Sequence, residues 1–263
     1  MKGQDLRLGA RARTPYVVEC IEHLHIDGSK CEQHGLCGRP HGTRLKWRDH
    51  FHNIVVTEGL NELLNRTFNA VAADVNWYVG LIGAGAGTVA INASANSVTG
   101  TGTTLAAGLA TSPIADIIIV GAGASGADFK DTVASRTSNT AITTTGNAST
   151  TVSGAAYATE PIAADTLASH VNSWAENTTY SNANRPTWTK NGAAAAGAMS
   201  NSSSKAGFTI NGSTRVFGAF LASNNTKGGT TGVLYGGGLF SVSRQLESGD
   251  TLNVQVDPSL TAS

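Results

Sequence analysis

Short apolar segments separated by glycine, serine, threonine and asparagine recur along the chain, and in its last hundred residues they return about every ten positions. Segment 250–256, DTLNVQV, alternates apolar and polar side chains, which is typical of a strand with one buried face. Asn211-Gly212 has the composition of a hairpin turn, and Phe217 and Phe220 in the following segment are predicted core positions. This spacing favours a β-sandwich or jelly roll over a parallel α/β sheet.

One segment has helical periodicity. Its apolar side chains share one face of residues 58–70, EGLNELLNRTFNA, and Thr57 is placed to cap the helix. The apolar side chains are Leu60, Leu63, Leu64 and Phe68. We expect one short amphipathic helix that packs this face on a sheet.

The composition changes along the chain and suggests domain boundaries. Residues 83–96 contain little that a core would bury, and residues 97–157 consist of short pieces rich in threonine, valine and isoleucine. We predict that 97–157 form a small β-rich inserted domain, and that 45–96 and 158–263 form the main β-sandwich domain. Residues 1–44 are predicted to be an N-terminal arm followed by a loop that contains cysteine and histidine.

Glycines with G-x-G-x-x-G spacing follow the apolar run in segment 116–126, DIIIVGAGASG. A dinucleotide-binding fold also needs a helix after the third glycine and an acidic residue about 20 positions later. The chain instead continues with serine and threonine, and no acidic residue lies between Asp131 and Glu160. We therefore predict turns between short strands and no cofactor.

The charge distribution does not indicate nucleic acid or a membrane as a partner. The 263-residue chain has no net charge, and only 14% of its residues are charged. Its first 52 residues are weakly basic and the rest weakly acidic, too weakly for a nucleic-acid surface. No apolar run reaches the roughly 18 residues of a membrane-spanning helix. His170 has Asp165 and Ser169 beside it, but local spacing does not orient a catalytic triad, so we predict no catalytic residues and no enzyme.

A cluster of cysteine and histidine in the first 41 residues carries the strongest chemical signal. Thiolates and imidazoles are the ligands that structural zinc takes in fours, although the usual C-x2-C and H-x3-H pairs are missing. The zinc candidates are Cys20, Cys31 and Cys37 with His34 or His41. A disulfide between Cys31 and Cys37, or an exposed polar loop with free thiols, are the alternatives.

Two long stretches resemble a family of tailed-bacteriophage virion proteins. They cover roughly residues 45–82, including WRDHFHNIVVTEGLNELLNRTF and WYVGLI, and residues 160–257, including DTLASHVNSWAENTTYSNANRPTWT and FTINGSTRVFGAFLASNNTKGGTTGVLYGGGLFSVSRQLESGDTLNV. The inserted segment is similar to the small β-modules near the start of tail fibre and tailspike proteins. The insert and the enlarged Cys/His loop depart from the family pattern.

The resemblance implies a non-enzymatic structural protein of the virion, assembled in the bacterial host cytoplasm, that decorates or cements the capsid shell. Its expected partners are the major capsid protein or other virion subunits, and it is expected to form a homo-oligomer. The basic arm suggests the interface residues Arg7, Arg11, Arg13, Tyr16 and Trp47. The alternatives are a tail or fibre-attachment component and a module that binds the host surface.

Overall fold

The computed structural model describes residues 10–13, 15–25, 41–52, 54–69, 76–105, 115–168 and 174–262. These residues are mainly strand and contain one α-helix, so the prediction of a mainly β fold with one helix is confirmed. The strands are β1 (Ala10–Arg13), β2 (Pro15–His25), β3 (His41–His52), β4 (Ile54–Val55), β5 (Trp77–Gly83), β6 (Thr88–Ile91), β7 (Ser97–Thr101), β8 (Asp116–Ile119), β9 (Phe129–Ser138), β10 (Ala141–Thr144), β11 (Val152–Ala155), β12 (Tyr157–Thr159), β13 (Ala175–Asn177), β14 (Thr187–Trp188), β15 (Ala206–Thr209), β16 (Thr214–Ala222), β17 (Leu234–Leu246), β18 (Thr251–Val256) and β19 (Ser259–Ala262). The helix is α1 (Thr57–Phe68).

The first large sheet has four antiparallel strands in the order β15, β18, β2 and β3. Burial alternates along β18 as its sequence predicts, with Leu252, Val254 and Val256 pointing inward. Tyr16 and Val18 on β2 join the same core. The sheet therefore buries one face and leaves the other to solvent.

The second sheet has the order β13, β5, β16, β17 and β4, and β14 also pairs with β5. It packs against the first sheet through a shared core, which makes this part of the chain sandwich-like. Residues 216–222 of β16 are all buried, because both faces of this central strand are covered. Phe217 and Phe220 are fully buried, which confirms their prediction as core positions.

A third sheet runs β11, β6, β7, β10, β9, β8 and β12 and encloses an apolar core of its own. The unbroken isoleucine run 117–119 lies in strand β8, where both faces of the strand are buried. Ile117 and Ile119 point into the core of the third sheet, whereas Ile118 joins a cluster with Phe220 and Trp174 of the main domain. The third sheet is therefore packed against the second sheet and shares a core with it.

Polar side chains also attach the third sheet to β17. Residues 240–243 of β17 lack regular pairing with β16, because the register shifts there. Asp128 accepts a hydrogen bond from Ser243 N at 2.7 Å, and Lys130 Nζ donates to Phe240 O at 3.0 Å. These contacts satisfy backbone groups that the shift leaves outside the strand ladder.

Strand pairing crosses all three of the predicted domain boundaries. The predicted arm and loop, residues 1–44, include β2, which pairs with β3 and β18 in the main sheet. β6 lies before residue 97 and β12 ends after residue 157, yet both belong to the third sheet. Residues 83–96 have few large apolar side chains, yet β6 lies among them and pairs with β7. Composition misplaces this boundary because a strand can join a sheet through backbone hydrogen bonds alone.

Helix α1 does not pack as its periodicity predicts. It approaches β17 through Gly59, where an added Cβ would lie 2.4 Å from Tyr235 O. The three residues that we call the α1 stripe, Leu60, Leu64 and Phe68, remain 39%, 55% and 78% exposed. The expectation that the whole apolar face packs on a sheet is therefore wrong. The helix contacts β17 at Gly59, because a residue without a side chain permits the closest approach, and the α1 stripe is left facing solvent.

Two short local signals also differ in role from their predictions. Thr57 is the first helical residue, and Val56 occupies the N-cap without a side-chain cap hydrogen bond. Asn211-Gly212 joins β15 to β16, which belong to different sheets, so it connects two layers and does not close a hairpin.

The glycines after β8 form a tight turn into β9, which runs antiparallel to β8. Gly121 and Gly126 have φ angles of +78° and +79°, which glycine adopts without strain. A Cβ on Gly123 would lie 2.5 Å from Asp128 O. A strand therefore follows these glycines in place of the helix that a dinucleotide-binding fold would have.

Candidate functional site

Two predicted interface residues pack within the chain. Tyr16 is fully buried and its ring stacks on Phe51, with 4.9 Å between the centroids. Trp47 is half-buried, lies 6.0 Å from the Phe240 ring and is covered by the Arg244 guanidinium at 4.9 Å. Tyr16 thus presents no surface to a partner, and its predicted interface role is corrected to packing between the two main sheets.

The three arginines that were predicted as interface residues lie near the start of the chain. Arg7 lies outside the described residues, whereas Arg11 and Arg13 lie in β1, which pairs with β19. β1 and β19 form a separate two-stranded sheet, the β1–β19 ribbon, and one isolated bridge connects Ser259 of this ribbon to Ala198. A two-stranded sheet is marginally stable by itself and has unpaired backbone groups along its edges.

The predicted zinc ligands fall into two groups. Those outside the described residues are Cys31, His34 and Cys37. Cys20 is buried in the core, and His41 lies opposite His25, five residues further along the hairpin. Five residues of strand span about 16 Å, so Cys20 and His41 cannot share one zinc ion. In the described part of the chain, no three histidine, cysteine or acidic side chains are placed to hold a metal.

A titratable group lies where the third sheet meets β17. The Glu160 carboxylate accepts backbone hydrogen bonds from Asp116 and Leu239, and Lys130 Nζ lies 3.7 Å from Asp116 Oδ2. Burial, and then repulsion by Asp116, raises the pKa of Glu160 to about 7, although Lys130 and the backbone bonds act in the opposite direction. The charge at this junction therefore changes near neutral pH.

A buried ion pair fixes residues 223–233, which we call the clamped loop. Arg185 donates to both carboxylate oxygens of Glu176, at 2.8 and 2.7 Å, and both side chains are almost completely buried. Arg185 also donates to Asn224 O and Gly229 O, each at 2.8 Å. A loop rich in glycine, asparagine and threonine is thereby held in one conformation at one end of the sandwich.

An open groove of 480 Å³ lies at the end of the core between the two main sheets. The residues that line this tryptophan groove are Asn76, Trp77, Thr187, Trp188, Thr189, Lys190 and Met199. Trp77 and Trp188 lie directly opposite each other on β5 and β14. Trp188 Nε1 donates to Val256 O at 3.0 Å, and the half-buried Trp77 ring packs edge-on against Tyr235 at 5.7 Å. Both indoles are therefore held in place before any ligand arrives.

A second cavity of 370 Å³ lies next to the tryptophan groove, and Met199 lines both. Its walls come from the exposed, alanine-rich segment 191–198 and from Asp257. Asn191 N donates to Ser200 O at 2.7 Å and closes the base of this segment. A ligand in the tryptophan groove can therefore extend along the surface beyond the two indoles.

The residues that build the clamped loop and the groove were not singled out as functional from the sequence. Trp77 and Trp188 are 111 positions apart in the chain, so no local pattern of the sequence marks them as one site. Glu176 and Arg185 are nine positions apart, a spacing that neither helical nor strand periodicity brings together, so no local signal identifies this pair.

Comparison of the chain with protein-family models, curated proteins and solved structures found no match in any of the three. Within the described residues, no helix has the length and apolar character needed to cross a bilayer.

Proposed function

We propose that this protein is a non-enzymatic structural subunit of a bacteriophage virion that decorates or cements the capsid shell. The β1–β19 ribbon is the observation that carries the proposal. It is a two-stranded sheet outside the three larger sheets, and its four-residue strands leave few hydrogen bonds to hold it. Pairing with a strand of a neighbouring subunit would extend the ribbon and supply the backbone contacts it lacks.

The α1 stripe supports the same proposal. It exposes three large apolar side chains, while the charged Glu62 and Arg66 on the helix pair with each other. Contiguous exposed apolar side chains are a feature of protein–protein interaction sites. The resemblance of residues 45–82 and 160–257 to virion proteins supports the choice of a bacteriophage particle.

The ribbon is tested by mixing purified protein with phage particles that lack it, and measuring occupancy and resistance of the particles to heat. Ala12→Pro removes a backbone donor from β1 without touching the described core, and Ala12→Ser is the matched control. We expect Ala12→Pro to lower occupancy while the melting temperature of the free protein stays unchanged. Equal occupancy and equal heat protection for both variants would contradict the role of the ribbon.

The α1 stripe is tested in the same assay with Leu64→Gln, and Asn61→Gln serves as the control at an exposed position of the same helix. Loss of one buried leucine contact weakens binding by about 1.5–3 kcal/mol, or roughly tenfold or more per site. Normal occupancy with Leu64→Gln would remove the stripe from the interface. Binding to tails alone would reject the capsid position and favour the tail or fibre-attachment alternative.

A further inference from the structure

The tryptophan groove combines two kinds of surface that a ligand must match together. Trp77 and Met199 are half-buried, so each keeps apolar surface in the groove, next to the indole of Trp188. Exposed Thr187 and Thr189 contribute hydroxyl groups beside them. The side-chain amide of Asn76 and the ammonium group of Lys190 complete the polar wall. The groove therefore offers flat apolar surface bordered by groups that both donate and accept hydrogen bonds.

We propose that this groove binds a pyranose-containing oligosaccharide. A pyranose ring has an apolar C–H face that fits an aromatic ring, and its hydroxyl groups both donate and accept, as amide and hydroxyl side chains do. A phosphate ligand is a poorer match, because Lys190 is the one cationic side chain among the lining residues. A lipid tail is also a poorer match, because four of the seven lining side chains are polar.

The groove is preorganised for such a ligand. The indole of Trp188 is held by its bond to Val256 O, and the Trp77 ring is supported by Tyr235. Binding therefore does not require the two rings to be ordered first, which lowers its entropic cost. The second cavity beyond Met199 has space for further sugar units, so a trisaccharide should bind more tightly than a monosaccharide.

The residues that line the tryptophan groove belong neither to the β1–β19 ribbon nor to the α1 stripe, although the second cavity adjoins the ribbon through the bridge between Ala198 and Ser259. A glycan-binding groove on a virion subunit would let the particle contact polysaccharide while the subunit remains attached. The two proposals can therefore fail separately, because one is read by particle occupancy and the other by sugar titration of the free protein.

The test is titration of the full-length protein with the trimers of glucose, galactose and N-acetylglucosamine, followed by tryptophan fluorescence and calorimetry. We expect at least one trimer to bind with a Kd of about 1 mM or tighter. The double variant Thr189→Ala, Lys190→Ala removes two exposed polar groups and should weaken that binding at least roughly fivefold. Thr230→Ala, at an exposed position outside the groove, is the matched control and should bind like the wild type.

Trp77→Leu tests the apolar platform and should abolish the fluorescence change on titration. The thermal unfolding of the Trp77→Leu variant is measured as well, because Trp77 also packs on the core. If this variant does not fold, the exposed double variant still decides the question. No saturable binding of any trimer up to about 10 mM would overturn the proposal. Binding that the double variant leaves unchanged would overturn it as well.

Discussion

The buried pair Glu176–Arg185 gives the sharpest prediction about stability. Replacing Arg185 with methionine keeps much of the side-chain volume and removes the guanidinium group. The Glu176 carboxylate would then keep the hydrogen bond from Gly228 N at 2.7 Å but lose both bonds from the arginine. The Glu176 side chain is 1% exposed in the native fold, so water cannot replace the lost partner unless the surrounding structure opens.

The expected cost follows from this burial. Removing one partner of a buried ion pair typically costs about 3–5 kcal/mol, because the other charge is left uncompensated. Arg185→Met also leaves Asn224 O and Gly229 O without their donor and removes the cation that lies 5.2 Å from the Phe220 ring centroid. We therefore expect a loss of about 4 kcal/mol in the free energy of unfolding, and local opening of the clamped loop.

The measurement is urea unfolding followed by tryptophan fluorescence, together with hydrogen exchange of the clamped loop. The double variant Arg185→Met, Glu176→Leu removes both charges and should cost less than the sum of the single changes. Arg44→Met provides the comparison, because the Arg44 side chain is 69% exposed although its partner Glu22 is only 9% exposed, so this change should cost less than Arg185→Met. A loss below about 1 kcal/mol for Arg185→Met, or strictly additive single changes, would refute the reasoning.

Three further predictions concern the packing between layers. The pKa of Glu160 is raised to about 7 from 4.5, so the stability that this group contributes is fully present below about pH 4.5 and is lost as the pH rises through 7. The free energy of unfolding should fall by up to about 3 kcal/mol over this range, and Glu160→Gln should remove this pH dependence. Urea midpoints at about pH 5 and pH 8 test this, and identical pH profiles of wild type and variant would contradict it. Phe217→Ala and Phe220→Ala should each cost about 3–5 kcal/mol in urea unfolding, and near-neutral results for both would show that the cluster is not a core. Gly59→Ala should destabilise the protein by about 1–3 kcal/mol, because its Cβ would lie 2.4 Å from Tyr235 O; an unchanged thermal unfolding curve would mean that α1 moves away from β17 without cost.

The strands were the most predictable part of the fold. Alternation along 250–256 identified β18, and the apolar segments that contain β8 and β16 were identified as strands, with Phe217 and Phe220 as core positions. These predictions succeed because successive side chains of a strand point to opposite faces, a property that the backbone fixes over a few residues. A different local rule, the 3.6-residue period of a helix, located α1.

Local rules did not identify which partner each face meets. The helical period of α1 was visible, but its contact with β17 is made through Gly59 and leaves the α1 stripe exposed. Asn211-Gly212 has the composition of a hairpin turn, yet the strands on either side of it pair in different sheets. The burial of Tyr16 likewise depends on Phe51 and on β18, far away in the sequence.

The candidate site was decided by tertiary structure alone. The tryptophan groove forms because β14 pairs with β5, which places Trp188 opposite Trp77, and Met199 then joins them from a separate loop. Strand pairing between distant segments depends on the whole set of competing pairings and on loop closure, which no short window of sequence contains. The sequence by itself determined a mainly β protein of low charge with one amphipathic helix. Long-range pairing decided which residues face each other and which face solvent.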